Sequence, residues 1–141
     1  MKRQFLIILA VLLILSLIVG LYIYNYQKQQ LIAKKNNQFY ENYAKGQILG
    51  TDLISIINKA MDTNEKNLIM KKGIYYQDDK EKTIKIYIQF LEDERTILME
   101  DIAEKATENF IKYFGQAKFE CIKIEYHSKT GNVKAMYFLQ E

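Results

Sequence analysis

Hydrophobic and polar positions divide the chain into three regimes. From Phe5 to Tyr24, FLIILAVLLILSLIVGLYIY, twenty consecutive residues carry no charge, and fifteen of them are Phe, Leu, Ile or Val. At about 1.5 Å per residue such a run makes a rod of roughly 30 Å, the thickness of a bilayer's hydrocarbon core. Ser16 is its one polar side chain other than tyrosine, and a hydroxyl there can bond back to a carbonyl one turn earlier. Tyr22, Tyr24 and Tyr26 follow at the exit, where amphipathic rings favour the headgroup layer. The pattern predicts a membrane-spanning helix.

The second regime, Asn25 to Lys45, has no Gly or Pro and is rich in Gln, Lys and Ala, so the helix is expected to continue as a stalk. Its apolar stripe is thin. Ile32, Phe39 and Tyr43 share one face, with Leu31 and Tyr40 beside them. That spacing suits a solvated spacer whose far end packs on a domain, or a seam for a partner helix; a coiled coil needs more heptads.

The third regime is mixed. Gly46 and Gly50 break the chain, and Leu53, Ile56, Ile57 and Ala60 mark a short amphipathic helix to about Met61, begun at Gly50 or Thr51 with Asp52 in its first turn. Asp62-Thr63-Asn64 reads as a turn. Residues 68–77 and Thr83–Phe90 then read as a hairpin around Asp78-Asp79-Lys80-Glu81. In the second arm Ile84, Ile86, Ile88 and Phe90 alternate with Lys85, Tyr87 and Gln89, one face buried and one wet. Glu92-Asp93-Glu94-Arg95 reads as a turn. Ile102, Ala103, Ala106, Phe110, Ile111 and Phe114 mark one helix closing at Gly115. Finally Lys118–Tyr126 and Val133–Leu139 flank HSKTGN as a second hairpin. Ile122, Ile124 and Tyr126 alternate inward while Phe119 and Cys121 have the opposite parity, which predicts a bulge near Cys121.

The expected fold class is therefore α+β: an N-terminal transmembrane helix, then a small domain with a four-stranded antiparallel sheet and helices packed on one face, in the order α-α-β-β-α-β-β. Residues 1–24 form the anchor, 25–46 the stalk and 47–141 the domain. The second sheet face, with Lys85, Tyr87 and Tyr137, is expected to be open.

Charge adds orientation and excludes some partners. A cleaved signal peptide is disfavoured, because the apolar run exceeds the usual length and no small-x-small site follows it. Lys2 and Arg3 sit directly against the apolar run, whereas Lys28, Lys34 and Lys35 are spread along the stalk. This points to a single pass through the cell membrane with the N-terminus cytoplasmic and residues 25–141 extracytoplasmic. The 117 residues after Tyr24 hold 18 basic and 17 acidic side chains, interspersed, so the strong one-sided basic excess of a nucleic-acid binder is missing. The lipid bilayer is the expected partner of residues 5–24, with protein partners or self-association through anchor and stalk.

Candidate chemistry is sparse. Cys121 is the one cysteine, so no intramolecular disulfide can form, and His127 is the one histidine, which excludes zinc sites of the usual spacing. The acids Glu92, Asp93, Glu94, Glu100, Asp101, Glu104 and Glu108 lack calcium-loop spacing, and Asp62, Asn64 and Glu65 suit a turn as well as an ion. Six residues apart on one strand, Cys121 and His127 stand about 20 Å from one another, too far for a nucleophile and base. No P-loop, dinucleotide fingerprint or G-x-S-x-G occurs. No catalytic, cofactor or metal residue is assigned, and no enzyme is expected. Eleven tyrosines suit either contact surfaces or ordinary strands.

An apolar N-terminal helix running into an amphipathic one and a small sheet resembles the layout of type IV pilins and pseudopilins. Phe5 matches that family's start, while Gln4 stands where the family has Gly and Leu9 where it has Glu. The segments YAKGQILGTDLISIINKAMDTNEKN and FECIKIEYHSKTG resemble uncharacterised single-pass membrane-anchored proteins of Gram-positive anaerobes, which implies a shared domain and no activity. The expected function is a membrane-anchored extracytoplasmic interaction domain, as an accessory piece of a pilus-like or secretion assembly. The alternative is an extracytoplasmic sensor or small-ligand-binding module.

Overall fold

The computed structural model describes residues 1–141, apart from the side chains of Asp93 and Glu94. Helix α1 runs unbroken over Lys2–Tyr43, with every side chain from Phe5 to Tyr24 exposed. It is long and apolar enough to cross a membrane. Ser16 Oγ donates to the Leu13 carbonyl at 2.8 Å, which satisfies the hydroxyl within the span.

Strand β1 (Gln47–Leu49) leads into α2 (Gly50–Lys66), followed by the short strands β2 (Lys71–Lys72) and β3 (Tyr75–Tyr76). Then come β4 (Lys85–Phe90), β5 (Asp93–Leu98), α3 (Met99–Glu104), α4 (Thr107–Phe114), β6 (Lys118–Tyr126) and β7 (Val133–Gln140). The main sheet has five strands in the order β1-β6-β7-β4-β5, and β2 and β3 pair separately. The domain is α+β as expected, but its sheet is mixed: β4 and β7 run parallel at the centre, and the other pairs are antiparallel.

Several local expectations change with this topology. Residues 68–77 do not pair with β4; they fold on themselves around Gly73, whose φ of +66° suits glycine. Instead β4 pairs with β5, which occupies the stretch read as an acidic turn, so the turn tightens to Leu91 and Glu92. The single helix expected over 102–114 is two, broken at Ala106, where φ is +67°. Helix α2 continues through the expected turn at Asp62-Thr63-Asn64. There a Lys66–Asp62 ion pair at 2.7 Å spans one turn, and Asn64 finds partners on β4. The bulge predicted near Cys121 falls on Ile122: Cys121 pairs with Phe138 and Lys123 with Tyr137, leaving Ile122 unpaired and exposed.

The core lies between the sheet and the helices. Leu53, Ile56 and Ile57 of α2 pack against Ile86, Ile88, Met136 and Phe138 of the two central strands, all fully or almost fully buried. Helices α2 and α3 begin alike: Asp52 and Asp101 accept from the backbone N–H of Leu49 and Leu98, three residues earlier, satisfying donors that the helix leaves free. Gly50 is required by contact. A Cβ there would lie 2.0 Å from the Phe114 carbonyl oxygen, where the start of α2 meets the end of α4. Gly50→Ala is therefore expected to destabilise the domain by about 1–3 kcal/mol, read as a lower thermal unfolding midpoint.

Candidate functional site

The feature that positions everything else is the docking of α1. Its stripe does not centre on Ile32, which is exposed; the buried face is Ala33, Asn37 and Tyr40, one turn apart. Asn37 Nδ2 donates to the Gly131 carbonyl at 2.7 Å, and its Oδ1 accepts from the Val133 N–H at 2.8 Å. Gly131, at φ +70°, brings the β6–β7 loop so close that a Cβ on it would stand 3.7 Å from Ala33 Cβ. Tyr126 donates to Glu41 at 3.0 Å further along. Phe39 and Tyr43 complete the seam with an edge contact of 5.2 Å.

This docking fixes which end of the domain lies nearest the apolar stretch of α1. The loop at Gly131 is level with Ala33 and Asn37, and α1 then leads through Tyr43 to β1, which pairs with β6 beside Gln140. The start of β7 is therefore proximal, and the turn at Leu91 and Glu92, tied to Gln140 by a 3.3 Å hydrogen bond, is distal.

At the distal end a cleft of about 650 Å³ opens between the β4–β5 turn and the broken pair α3–α4. Phe90, Phe110 and Phe114 form its wall, with Phe90 and Phe114 centred 4.8 Å apart, and Ile97 and Ile102 add apolar surface. Ala106 lies on the lining, between α3 and α4, in a backbone conformation that costs a non-glycine residue of order 1 kcal/mol. Leu91 and Tyr113 stand exposed at the mouth. Glu92, Asp101 and Lys105 supply charge there, and Glu104 and Glu108 stand on the same two helices.

A second cavity, about 550 Å³, lies at the junction of α1 with the domain. Tyr40 and Lys35 come from α1, Lys59 and Thr63 from α2, and Lys82 and Asn132 from the loops before β4 and β7. Tyr40 is 3% exposed, and among the described residues neither its hydroxyl nor Asn132 Oδ1 has a hydrogen-bond partner. Burial pushes the Tyr40 pKa from the usual 10.0 up to about 12, only partly offset by the nearby Thr63 hydroxyl. A folded-state pKa above the unfolded one stabilises the fold below pH 10 and loses that contribution as pH rises to 12. An alkaline titration should therefore show on the order of 2 kcal/mol lost across that window, and a Tyr40→Phe variant should lack this component.

The residues singled out by sequence do not converge. His127 is buried and far from Cys121; its Nε2 bonds the Thr83 carbonyl at 2.8 Å and ties the β6–β7 loop to the start of β4. Cys121 is half-buried within β6, six residues before His127, and burial raises its thiol pKa. Asp62 and Glu65 pair with Lys66 and Lys71, and Asn64 is fully buried, embracing Ile84 with both its donor and its acceptor at 2.8 Å. Among the described residues no three His, Cys, Asp or Glu side chains stand together as a metal group; Asp93 and Glu94 of the acidic stretch lie outside the described side chains. On the second sheet face Tyr87 and Tyr137 stack at 4.7 Å, half-buried, with Lys123 over Tyr137. Lys85, expected on that face in water, is buried beneath the β2–β3 hairpin. It pairs with Glu100 at 3.1 Å and also donates to the Tyr76 carbonyl.

The fold thus defines a class, an apolar helix continuous with a docked α+β domain. Comparison of the chain with family models, with characterised proteins and with solved structures gives no match.

Proposed function

We propose that this is a membrane-anchored interaction domain, held on the extracytoplasmic side with its N-terminus inside, that presents the distal cleft to a protein partner. The observation that carries the reading is the position of that cleft. It is apolar and aromatic, of the size of a binding pocket, and at the end of the domain furthest from the span. Its partner is a polypeptide segment placing a bulky apolar side chain in the cleft with a basic residue beside it. Glu92 and Asp101 outnumber Lys105 on its lining, and opposite charge steers encounter. The pilin-like layout suggests an accessory place in a pilus-like or secretion assembly. Binding rather than catalysis is supported by His127 lying just past β6, engaged with the Thr83 carbonyl, and by Cys121 lying six residues earlier within that strand.

The test uses Tyr113→Cys with Cys121→Ser, carrying a membrane-impermeant thiol photocrosslinker on intact cells. One discrete adduct, lost when Leu91→Asp is added, is the expected result. Labelling only after permeabilisation would overturn the outside placement, and labelling without an adduct would overturn the interaction reading. A second reading, a sensor or small-ligand-binding module, is favoured by the cavity at the junction of α1 and the domain.

A further inference from the structure

Leu68 occupies a position that neither its backbone nor its burial explains. Helix α2 closes in a Schellman arrangement, the N–H groups of Leu68 and Ile69 donating to the Glu65 and Asn64 carbonyls, each at 3.0 Å. The residue that completes this turn takes a left-handed backbone, and helices ordinarily place glycine there. Here it is a leucine at φ +54°, with its side chain 86% exposed. Met70 is 72% exposed, while Ile69 between them packs against the core. Strain of this kind persists where the surrounding structure enforces it, and it marks positions worth a functional question.

Place and charge say what this projecting pair meets. Asn67 Nδ2 donates to the Lys82 carbonyl at 3.4 Å, and the adjacent Glu81 carbonyl accepts from Thr130, beside the Gly131 on which α1 docks. Leu68 and Met70 therefore stand at the end of the domain nearest the apolar stretch of α1. Between Tyr24 and Asn37 the helix carries Lys28, Lys34 and Lys35 and no acid, and residues 66–72 carry Lys66, Lys71 and Lys72 and no acid. Setting Asp62 and Glu65 against Lys66 and Lys71 leaves Lys28, Lys34, Lys35 and Lys72 unbalanced. On the adjacent loops Asp78, Asp79 and Glu81 are matched by Lys80, Lys82 and Lys129. The far end has the opposite balance, with Glu92 at the β4–β5 turn and Glu104 and Glu108 on α3 and α4, so an anionic plane attracts one end and repels the other.

We propose that this end of the domain docks on the anionic headgroup surface of the bilayer that α1 enters, with Leu68 and Met70 set among the headgroups and Lys28, Lys34, Lys35 and Lys72 over the phosphates. The inference rests on the membrane-anchored reading and is independent of the distal cleft. Neither Leu68 nor Met70 lines that cleft or the junction cavity, and an apolar pair that projects beside lysines suits a flat anionic plane. Height permits the contact. Ala33, level with Gly131, lies nine residues beyond Tyr24, about 13 Å along the helix axis, and the headgroup layer takes up about 5–7 Å of that. A lean of about 20° toward the domain lowers a point about 15 Å from the axis by about 5 Å, and the long lysine side chains span the remainder.

The test is fluorescence of full-length protein in nanodiscs of phosphatidylcholine, alone or with about 30% phosphatidylglycerol. In a Cys121→Ser background an environment-sensitive dye is placed on Met70→Cys, Tyr113→Cys or Ile14→Cys. In anionic discs the dye at residue 70 is expected to shift to the blue and to be quenched by a lipid carrying a headgroup nitroxide. In neutral discs, or in roughly 0.5 M salt, it should do neither, and the dye at residue 113 should stay unquenched throughout. Lys66→Gln with Lys72→Gln should cut the quenching severalfold. Lys112→Gln with Lys118→Gln, the same loss of charge at the far end, should leave it unchanged. Leu68→Gly should weaken the quenching and yet raise the thermal unfolding midpoint, because glycine relieves the strained turn. Equal quenching in neutral and anionic discs would overturn the charge assignment, and equal effects of the two lysine pairs would overturn the assigned face. Leu68→Gly that quenches as before would overturn the role of the apolar pair. An unquenched dye at residue 70 beside a bilayer-buried dye at residue 14 would overturn the docking and leave the anchor standing. A dye at residue 14 that reports water would overturn the anchor, and the docking with it.

Discussion

Lys85→Met is expected to lower the stability of the domain by about 3–5 kcal/mol, the range for removing one partner of a buried ion pair. The Lys85 and Glu100 side chains are 9% and 1% exposed, so neither charge keeps its water. Glu100 Oε1 accepts from both Lys85 Nζ and the Tyr76 N–H at 3.1 Å, while Oε2 has no partner among the described residues. Without the ammonium, that carboxylate keeps one backbone donor in an apolar setting, and domains of this size are stable by only about 5–15 kcal/mol. Adding Glu100→Gln removes the charge yet keeps an acceptor for the Tyr76 N–H. The double variant should recover at least about 2 kcal/mol of the loss, read as urea unfolding midpoints of full-length protein in nanodiscs. A double variant less stable than Lys85→Met would show that the pair is not coupled as the geometry requires.

The second large effect concerns Asn37. Asn37→Ala strips partners from the Gly131 carbonyl and the buried Val133 N–H, at about 1–3 kcal/mol for each group left unpaired, so a loss of about 2–5 kcal/mol is expected. Its location gives it a sharper signature than a midpoint. Amide exchange should accelerate across residues 33–43 and the loop at 127–133, while the protection of 5–24 stays as it was. Asn37→Leu separates this account from a simple burial account. If apolar contact held the helix, leucine would strengthen the seam; with the amide as the clamp, leucine should loosen it nearly as much as alanine.

Legibility along the chain tracks how far each pattern depends on partners. Phe5–Tyr24 was readable because a membrane imposes one condition on every side chain. Ile84, Ile86 and Ile88 were readable because a half-buried strand alternates, and the opposed parity of Phe119 and Ile124 demanded a bulge. Strand β5 was not. As an edge strand it needs few apolar residues, and Asp93-Glu94-Arg95 has the composition of a turn. The parallel pairing of β4 with β7 was hidden because alternation states which face is buried and not which strand lies alongside. Lys85 sits at a polar phase of its strand, and only the remote Glu100 and Tyr76 make that position an interior one.

The two cavities were invisible for related reasons. Asparagine reads as a turn residue, so Asn37 and Asn64 gave no sign of reaching across to other backbone. The cleft depends on Ala106, where nothing in the local sequence announces a left-handed break. The junction cavity draws on four separate stretches of chain. The nearest available signal was Tyr40, a large residue beside the stripe of α1 whose hydroxyl would need a partner if buried.

The continuity of α1 also has a mechanical consequence. A flexible linker between span and domain would let the bilayer tilt the anchor without disturbing what the domain presents. Here α1 is unbroken to Tyr43 and docked on the domain, so in the proposed membrane placement helix and domain would turn as a single lever. Membrane helices commonly tilt by about 20°, and for a tip some 30–40 Å above the pivot plane that swing carries the distal cleft on the order of 10 Å sideways. In that placement bilayer thickness would set where the cleft points, and Asn37 is the bolt that would transmit it.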